Sequence, residues 1–442
     1  MSSEAPEERR AGPPQERRLG GPEERPGGPE ERRPRGPEER RPGGIEEQTL
    51  REVVETLAPI ERRAGSDGER EAAEWIAARL KAAGCEVAIE EEQFLDGYAR
   101  TMSKLTGAGV VAGLAALAVP AARKLAGAAA AGATLAIADD ISNGPRLFRR
   151  ATTKPRTTWN VIAVCGDPAA RRTLVLLAHH DAATTGKIFD DSAQSWAGER
   201  FPGVIERIDT SVPMWWPVLC APALAAFGAV TGRRGLLAAG IAASAVATAT
   251  FEDIARSPVV PGANDNLTAV AALVAIAERL RAQPPAGLRV LLVSCGAEEV
   301  LQGGIRAFGH RHFPTLDRDR TWFLNLETLG SPKLILLEGE GPVVMEDYHD
   351  RSFRDLVCRA ADGAGAPLRR GLRSRTSTDS VIPSRAGYPT ATLVSMNRYK
   401  ALSNYHKPTD TPANVDYRTV LQAVTVTEAV ARELADNPWI GW

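Results

Sequence analysis

A chain of 442 residues, 43% hydrophobic and 25% charged, has room for one large globular domain with additions or for two domains. A formal net charge of −1, with no interleaving of aromatic and basic residues, excludes a nucleic-acid-binding footprint. The five cysteines, Cys85, Cys165, Cys220, Cys295 and Cys358, lie far apart with no CxxC pair. That spacing predicts a set that includes buried free thiols, and indicates neither a disulfide framework nor a cysteine zinc site.

Residues 1–44 are a degenerate repeat of the type PEERRPGG. Proline and glycine break helix and strand alike, the charges nearly cancel, and apolar side chains are almost absent. Such a segment cannot bury enough surface to offset its ordering entropy, so the expectation is a disordered, solvated tail. The N-terminus also lacks the basic-then-apolar build of a cleaved signal peptide, so export would use an internal segment. Order is expected from residue 45 to the end. Residues 46–63 carry Leu50, Val53, Val54 and Leu57 at helical spacing. A turn, RAGSDG, a second helix ending at Gly84 and a strand, EVAIEEEQF, follow.

Two uncharged pairs of segments then interrupt the chain. LTGAGVVAGLAALAVPAA (105–122) and LAGAAAAGATLAIA (125–138) are separated by Arg123-Lys124; 212–232 and 235–251 are separated by Arg233-Arg234. Each pair reads as a helical hairpin, at about 105–138 and 212–251. Their lengths sit at or below the roughly 17–25 residues that span a bilayer. Small residues would allow close helix packing in lipid, and Trp215-Trp216 would suit an interface. Length and hydropathy favour membrane association; the alternative is a cytoplasmic soluble protein with the four helices buried against one another or in a homodimer. Sidedness stays open, because basic residues flank both ends of the hairpins.

Elsewhere strands alternate with helices. Strands are expected at 159–166, 173–181, 288–296, 320–330, 332–339 and 388–395, with helices at 266–283, 298–312, 350–365 and 418–436. The pattern implies an α/β fold, a mostly parallel mixed sheet with helices on both faces. In such folds active sites gather at the carboxyl ends of strands. Five polar clusters lie there. His179-His180-Asp181 closes a strand; alternation places His179 and Asp181 on one face and His180 on the other. Asp181 could receive the ring N–H of His179 and fix its tautomer for a metal. Asp265 stands in GANDN at a helix start, where a plain helix cap is the ordinary explanation. Glu298 and Glu299 follow an apolar strand, and neighbouring carboxylates make sense beside a cation. Glu327 ends another apolar strand, where an unpaired carboxylate would be costly. Tyr405 and His406 sit in NYHKPTDT, a loop. Two histidines and three carboxylates suffice for two metals if one carboxylate bridges them, with one glutamate left uncommitted.

In this order, HHD, GANDN, EEVLQGG, NLETLG and HKPTDT resemble the motifs of the co-catalytic zinc aminopeptidase family, which also includes glutamate-carboxypeptidase-like proteins, glutaminyl cyclases and inactive receptor relatives. The resemblance covers most of residues 46–436, outside the hairpin regions. It implies two zinc ions: Asp265 bridging, His179 and Glu327 completing one site, Glu299 and His406 the other. It further implies Glu298 as general base, Asp181 as the group orienting His179, and Tyr405 as a stabiliser of the tetrahedral oxyanion. Asp379, in STDSVIPSRAGYP, is similar to a family position just behind the site. Glu327 stands where secreted members commonly carry aspartate and is closer to membrane-bound, endoplasmic-reticulum-type metallopeptidases; Val300 replaces a common glycine. The implied activity is a zinc aminopeptidase acting on peptides with a free N-terminus. The alternatives are glutaminyl-cyclase-like cyclisation or an inactive membrane-bound binding module. No G-x-S-x-G elbow is present to support a serine hydrolase.

Overall fold

A computed structural model describes residues 44–437; the repeat tail lies outside that range but for Gly44. Two amphipathic helices, α1 (Ile45–Leu57) and α2 (Asp67–Ala82), lead in. Ser66 caps the second by accepting the amide of Glu69. Strand β1 (Glu86–Leu95) precedes the first hairpin, α3 (Tyr98–Ala118) and α4 (Arg123–Ile141), and a short α5 (Leu147–Thr152). Strands β2 (Pro155–Gly166) and β3 (Arg172–His179) come next, then α6 (Ser192–Arg200) and α7 (Pro202–Arg207). The second hairpin is α8 (Trp215–Thr231) and α9 (Arg234–Arg256). The remainder runs α10 (Thr268–Ala282), β4 (Leu288–Cys295), α11 (Gly303–His312), β5 (Thr321–Glu327), β6 (Lys333–Glu340) and β7 (Glu346–Asp347). It closes with α12 (Arg351–Gly363), β8 (Arg369–Ser374), α13 (Val381–Arg385), β9 (Thr390–Met396) and α14 (Tyr417–Asp436).

The strands form one mixed sheet in the order β1-β2-β4-β3-β5-β9-β6-β7, with β8 beside β6. The central strands β4, β3, β5 and β9 are parallel, and the flanking β1, β2 and β6 run against their neighbours. β3 and β5 read as unbroken apolar runs because both faces are covered. Leu174 and Leu176 pack on the side of α1, α2, α10, α12 and α14, while Val175 and Leu177 pack toward Phe308 and Phe323. The α/β architecture expected from strand–helix alternation is therefore present.

Two local expectations need correcting. Cys85 and Cys165 are disulfide-bonded across β1 and β2, with Cα atoms 5.3 Å apart, although 80 residues separate them in sequence. Antiparallel register, invisible in the spacing, brings them together. The helix expected from Glu298 begins only at Gly303: residues 296–302 form a turn in which Ala297, Leu301 and Gln302 take positive φ. The turn forms because the Asp181 carboxylate accepts the amides of Glu298 and Glu299, each at 3.0 Å, which pulls both out of a helical path. Strand β8 and helices α6 and α7 carry too little apolar periodicity to have been read.

The two hairpins pack on each other as a four-helix bundle. Its base, with Met102, Leu105, Ile137, Ile141 and Phe251 inside, adjoins Phe189 and Val343 of the α/β domain. Its far half is lined by Ala112, Ala116, Ala126, Ala130, Ala225 and Ala229. Gly240 crosses α8 so closely that a Cβ there would stand 2.2 Å from the Ala225 amide nitrogen. Helices α3 and α9 are long and apolar enough to cross a membrane.

Candidate metal centre

Parallel β3, β4 and β5 end together, and each delivers one polar group to the same rim. His179 is the last residue of β3, Glu327 the last of β5, and Glu298-Glu299 lie just beyond β4. Asp265 comes from the turn 263–267 ahead of α10, and His406 from the loop before α14. Gly262 allows the chain to enter that turn: its φ is +58°, and a Cβ would lie 2.7 Å from the Asp265 carbonyl.

These six side chains converge as three overlapping groups: His179, Asp265 and Glu327; Asp265, Glu299 and His406, which shares Asp265 with the first; and His179, Glu298 and Glu299. His179 Nε2 lies 3.4 Å from Asp265 Oδ1 and 3.5 Å from Glu327 Oε1. On the other side His406 Nε2 lies 3.4 Å from Asp265 Oδ2 and 3.1 Å from Glu299 Oε2. The two oxygens of one carboxylate thus face opposite histidines. All of these side chains are nearly buried. Glu299 Oε1 and both ring nitrogens of His406 have no hydrogen-bond partner, a costly condition unless a cation completes the site. The donor set, imidazole nitrogen with carboxylate oxygen, suits zinc.

The electrostatics describe a pit of negative charge. Burial works against a charged His179, yet Asp181, Asp265, Glu298 and Glu327 hold its pKa well above the usual imidazole value. Burial likewise opposes charge on His406, but Glu299 and Asp265 push it up to about 10. Glu298 is driven well above the carboxylate range by burial, with Asp379, Glu327 and Glu299 adding repulsion against the lowering effect of His179. Both raised values reflect the surplus of carboxylates at these positions, a demand for positive charge.

Asp181 and His180 behave as strand alternation requires. Asp181 Oδ1 is 3.4 Å from His179 Nδ1 while its carboxylate holds the Glu298 and Glu299 amides, so one buried side chain sets the position of three residues. His180 turns to the opposite side, where its Nδ1 meets Ser294 Oγ at 2.9 Å; burial lowers its pKa to about 4. Glu298 Oε1 accepts from Gln302 Nε2 at 2.7 Å, which leaves Oε2 3.8 Å from His179 Nε2. Tyr405 stacks on His406, ring centroids 3.9 Å apart, and Phe189 meets the same imidazole edge-on at 4.5 Å. Asp379 is buried nearby beside the Cys295 thiol, and burial raises its pKa to about 8.

Asp265, Glu298, Glu299, Glu327 and Tyr405 open into a cavity of about 230 Å³. Its far wall is apolar, made by Ile335, Leu337, Leu372, Val394, Met396 and Leu402. Lys407, on the rim, is ion-paired with Asp191.

Several supporting residues escaped sequence reasoning. Asp410 accepts the amides of Asn264 and Asp265 at 2.8 and 3.1 Å, fixing the shared carboxylate. It stands inside HKPTDT, so its signal was present without a role. Fully buried Arg62 bonds the carbonyls of His180 and Pro261, bracing the β3 end against the Asp265 turn. Gln302 belongs to EEVLQGG, four residues past the glutamate it holds. Phe189 had no signal, because its loop packs on His406 only through tertiary structure.

Residues 247–431 match the family model described as Peptidase family M28. His179 and Asp181 lie ahead of that span. Among solved structures the chain is similar to a leucine aminopeptidase precursor from Bacteroides thetaiotaomicron, at 13% identity and a TM-score of 0.53, covering 87% of this chain and 96% of that one. It is similar to a glutaminyl cyclase from the same organism at 12% identity and a TM-score of 0.52, covering 87% and 97%. An aminopeptidase from Aneurinibacillus sp. aligns at 14% identity and a TM-score of 0.51, covering 87% and 92%. No curated protein matches the chain.

Proposed function

We propose that this chain, which carries a Peptidase family M28 domain over residues 247–431, is a zinc-dependent aminopeptidase attached to a membrane by its four-helix bundle. The observation that carries the catalytic reading is the sharing of Asp265 between two histidine–carboxylate groups, with Glu298 beside them in a third group with His179 and Glu299. Zinc bound there would supply Lewis acidity at the scissile carbonyl and lower the pKa of the attacking water. His179 with Glu327 would hold one ion, Glu299 with His406 the other, and Asp265 both.

The remaining work falls to the chain's own groups. Glu298, anchored through Gln302, keeps its second carboxylate oxygen toward the cavity and the ligand cluster. Its raised proton affinity suits a base that accepts a proton from water and returns it to the departing amine. Asp181 fixes His179 and the backbone beneath both glutamates, acting through position alone. Tyr405 lines the cavity from the His406 side and would donate to the tetrahedral oxyanion. The apolar far wall would receive the side chain of the N-terminal residue. Glutaminyl-cyclase-like chemistry is the second reading, because the fold is equally similar to such an enzyme.

The bundle supports the membrane part of the reading. Leu114, Leu125, Leu135, Phe227, Val230 and Val246 are at least half exposed on its outer surface, a pattern that suits lipid.

The test is a panel of free-amino peptides with product masses, using zinc-loaded wild type and Glu298→Gln. Stepwise loss of N-terminal residues, reduced about 10²–10⁴-fold in the variant, is expected. Loss of ammonia or water from N-terminal Gln or Glu would favour cyclisation instead. No turnover on any peptide would overturn the catalytic reading.

A further inference from the structure

Membrane association leaves open which compartment the metal centre faces. We propose that the bundle sits in the bilayer with both basic hairpin tips on the cytoplasmic face and the α/β domain on the opposite face, so that the peptide substrates are extracytoplasmic. The inference rests on the membrane reading above.

Geometry comes first. The ends of α3 and α8 and the starts of α4 and α9 lie together, away from the α/β domain: Arg123 reaches to 3.5 Å from the position of a Cβ on Gly232. Both tips therefore emerge on one side. The four helices have 17–23 residues, or about 26–35 Å at the α-helical rise; of these, α3 and α9 are long and apolar enough to cross a hydrocarbon core of about 30 Å. Charge-free stretches of the helices are shorter, as in 125–138 of α4; long basic side chains at the tips can make up the difference by reaching outward to the headgroups.

Charge then sets direction. The tips carry Arg123, Lys124, Arg233 and Arg234 in very short turns, and no acidic residue occurs in 97–138 or 210–251. Basic residues in short loops are retained on the cytoplasmic side, whereas folded domains cross largely regardless of charge. At the other end Arg100 and Lys104 stand exposed on α3 of the bundle itself, two basic residues against the four at the tips, and several of the others are tied into the α/β domain or its junction with the bundle. Arg149 is fully buried and paired with Asp140 at 2.5 Å, and Arg146 bonds Asn143 Oδ1 at 2.6 Å. Arg156 pairs with Asp96 at 2.7 Å, and Arg256 with Glu252 at 2.6 Å. They are structural parts of the α/β domain and its junction with the bundle.

A second, independent observation agrees. The Cys85–Cys165 disulfide lies in the α/β domain. Disulfides persist in oxidising compartments and are rare in the cytosol. Tip charge and domain redox state therefore assign the same orientation, although they share no residue.

The test places single cysteines at Gly235, on a tip, and Gly363, on the α/β domain, in full-length protein carrying Cys220→Ala and Cys358→Ala. Both glycines are exposed, and a Cβ at either would meet nothing within 4 Å. With a membrane-impermeant maleimide on intact spheroplasts, Gly363→Cys should label and Gly235→Cys should label only after permeabilisation. The reverse pattern would overturn the orientation while leaving membrane attachment standing. Release of the protein by alkaline carbonate would overturn the membrane reading itself, and retained peptide hydrolysis would show that the catalytic reading had not failed with it. Thiol trapping before lysis should find Cys85 and Cys165 blocked until reduction; two free thiols would also overturn the orientation.

Discussion

The α/β domain and the four-helix bundle are both helical and apolar, but they sort side chains by opposite rules. In the sheet, Leu174, Val175, Leu176 and Leu177 are all fully buried between helices. Toward the tips of the bundle the interior holds alanine and glycine around Leu237, while Val111 and Leu125 stand 68% and 77% exposed. Large apolar side chains inside maximise the area removed from water. Small ones inside bring backbones together, which is how helices associate where lipid has removed the hydrophobic drive between them. The difference also appears in polar groups. The α/β domain buries carboxylates, histidines and arginines in bonded networks, whereas the bundle's side-chain links, Ser103–Glu252, Thr106–Thr248 and Asp140–Arg149, fall in its half nearer the domain. The contrast teaches that apolar content alone does not identify a core; the size of the residues at the contact does.

The largest expected effect of breaking this comparison lies in the sheet. Leu176→Ala should destabilise the α/β domain by about 2–5 kcal/mol, read as a lower midpoint in denaturant with an unchanged slope. A loss as small as that of a surface substitution would contradict its place in the core.

A smaller effect should separate the regions by pH. Glu340 is buried in the α/β domain, accepts the Thr378 amide at 2.9 Å, and burial raises its pKa to about 8. Its folded value lies above the unfolded value, so the stabilisation is complete below about pH 4.5 and is lost as pH rises through 8. Glu340→Gln should therefore leave stability near pH 4.5 unchanged relative to wild type and gain on the order of 1–3 kcal/mol at pH 8. Equal pH dependence in both proteins would refute the assignment. The bundle, with no acidic residue along the hairpins between their outer ends, should show no such dependence.

The smallest effect is expected on the bundle's outer face. Leu135 is 71% exposed there, and Leu135→Ala in detergent micelles should change stability by no more than about 0.5 kcal/mol. A loss matching that of Leu176→Ala would mean that this face is covered by protein.

Much of this was legible in the sequence, unevenly. The ends of apolar strands announced His179, Glu298, Glu299 and Glu327, because a polar group following a buried run needs a reason to be there. The hairpins were legible as charge-free stretches parted by basic pairs, although their helices extend to Tyr98, Ile141 and Arg256 beyond the uncharged limits. What sequence could not carry was register and reach. Cys85 and Cys165 meet only because β1 and β2 pair antiparallel, and Phe189 touches His406 only because a loop folds back. The turn at 296–302 imitates a helix start in composition; the Asp181 carboxylate, more than a hundred residues away, decides otherwise.

The central claim is that the cluster around Asp265 binds the metal on which catalysis depends. The direct measurement is zinc bound per chain alongside peptide turnover, as chelator-stripped wild type and Asp265→Asn are titrated with zinc. The account predicts that stripped wild type is silent and that turnover returns as binding saturates at two ions per chain. It predicts that Asp265→Asn binds fewer ions and stays silent. Full turnover by stripped protein, or wild-type binding and turnover in Asp265→Asn, would contradict it.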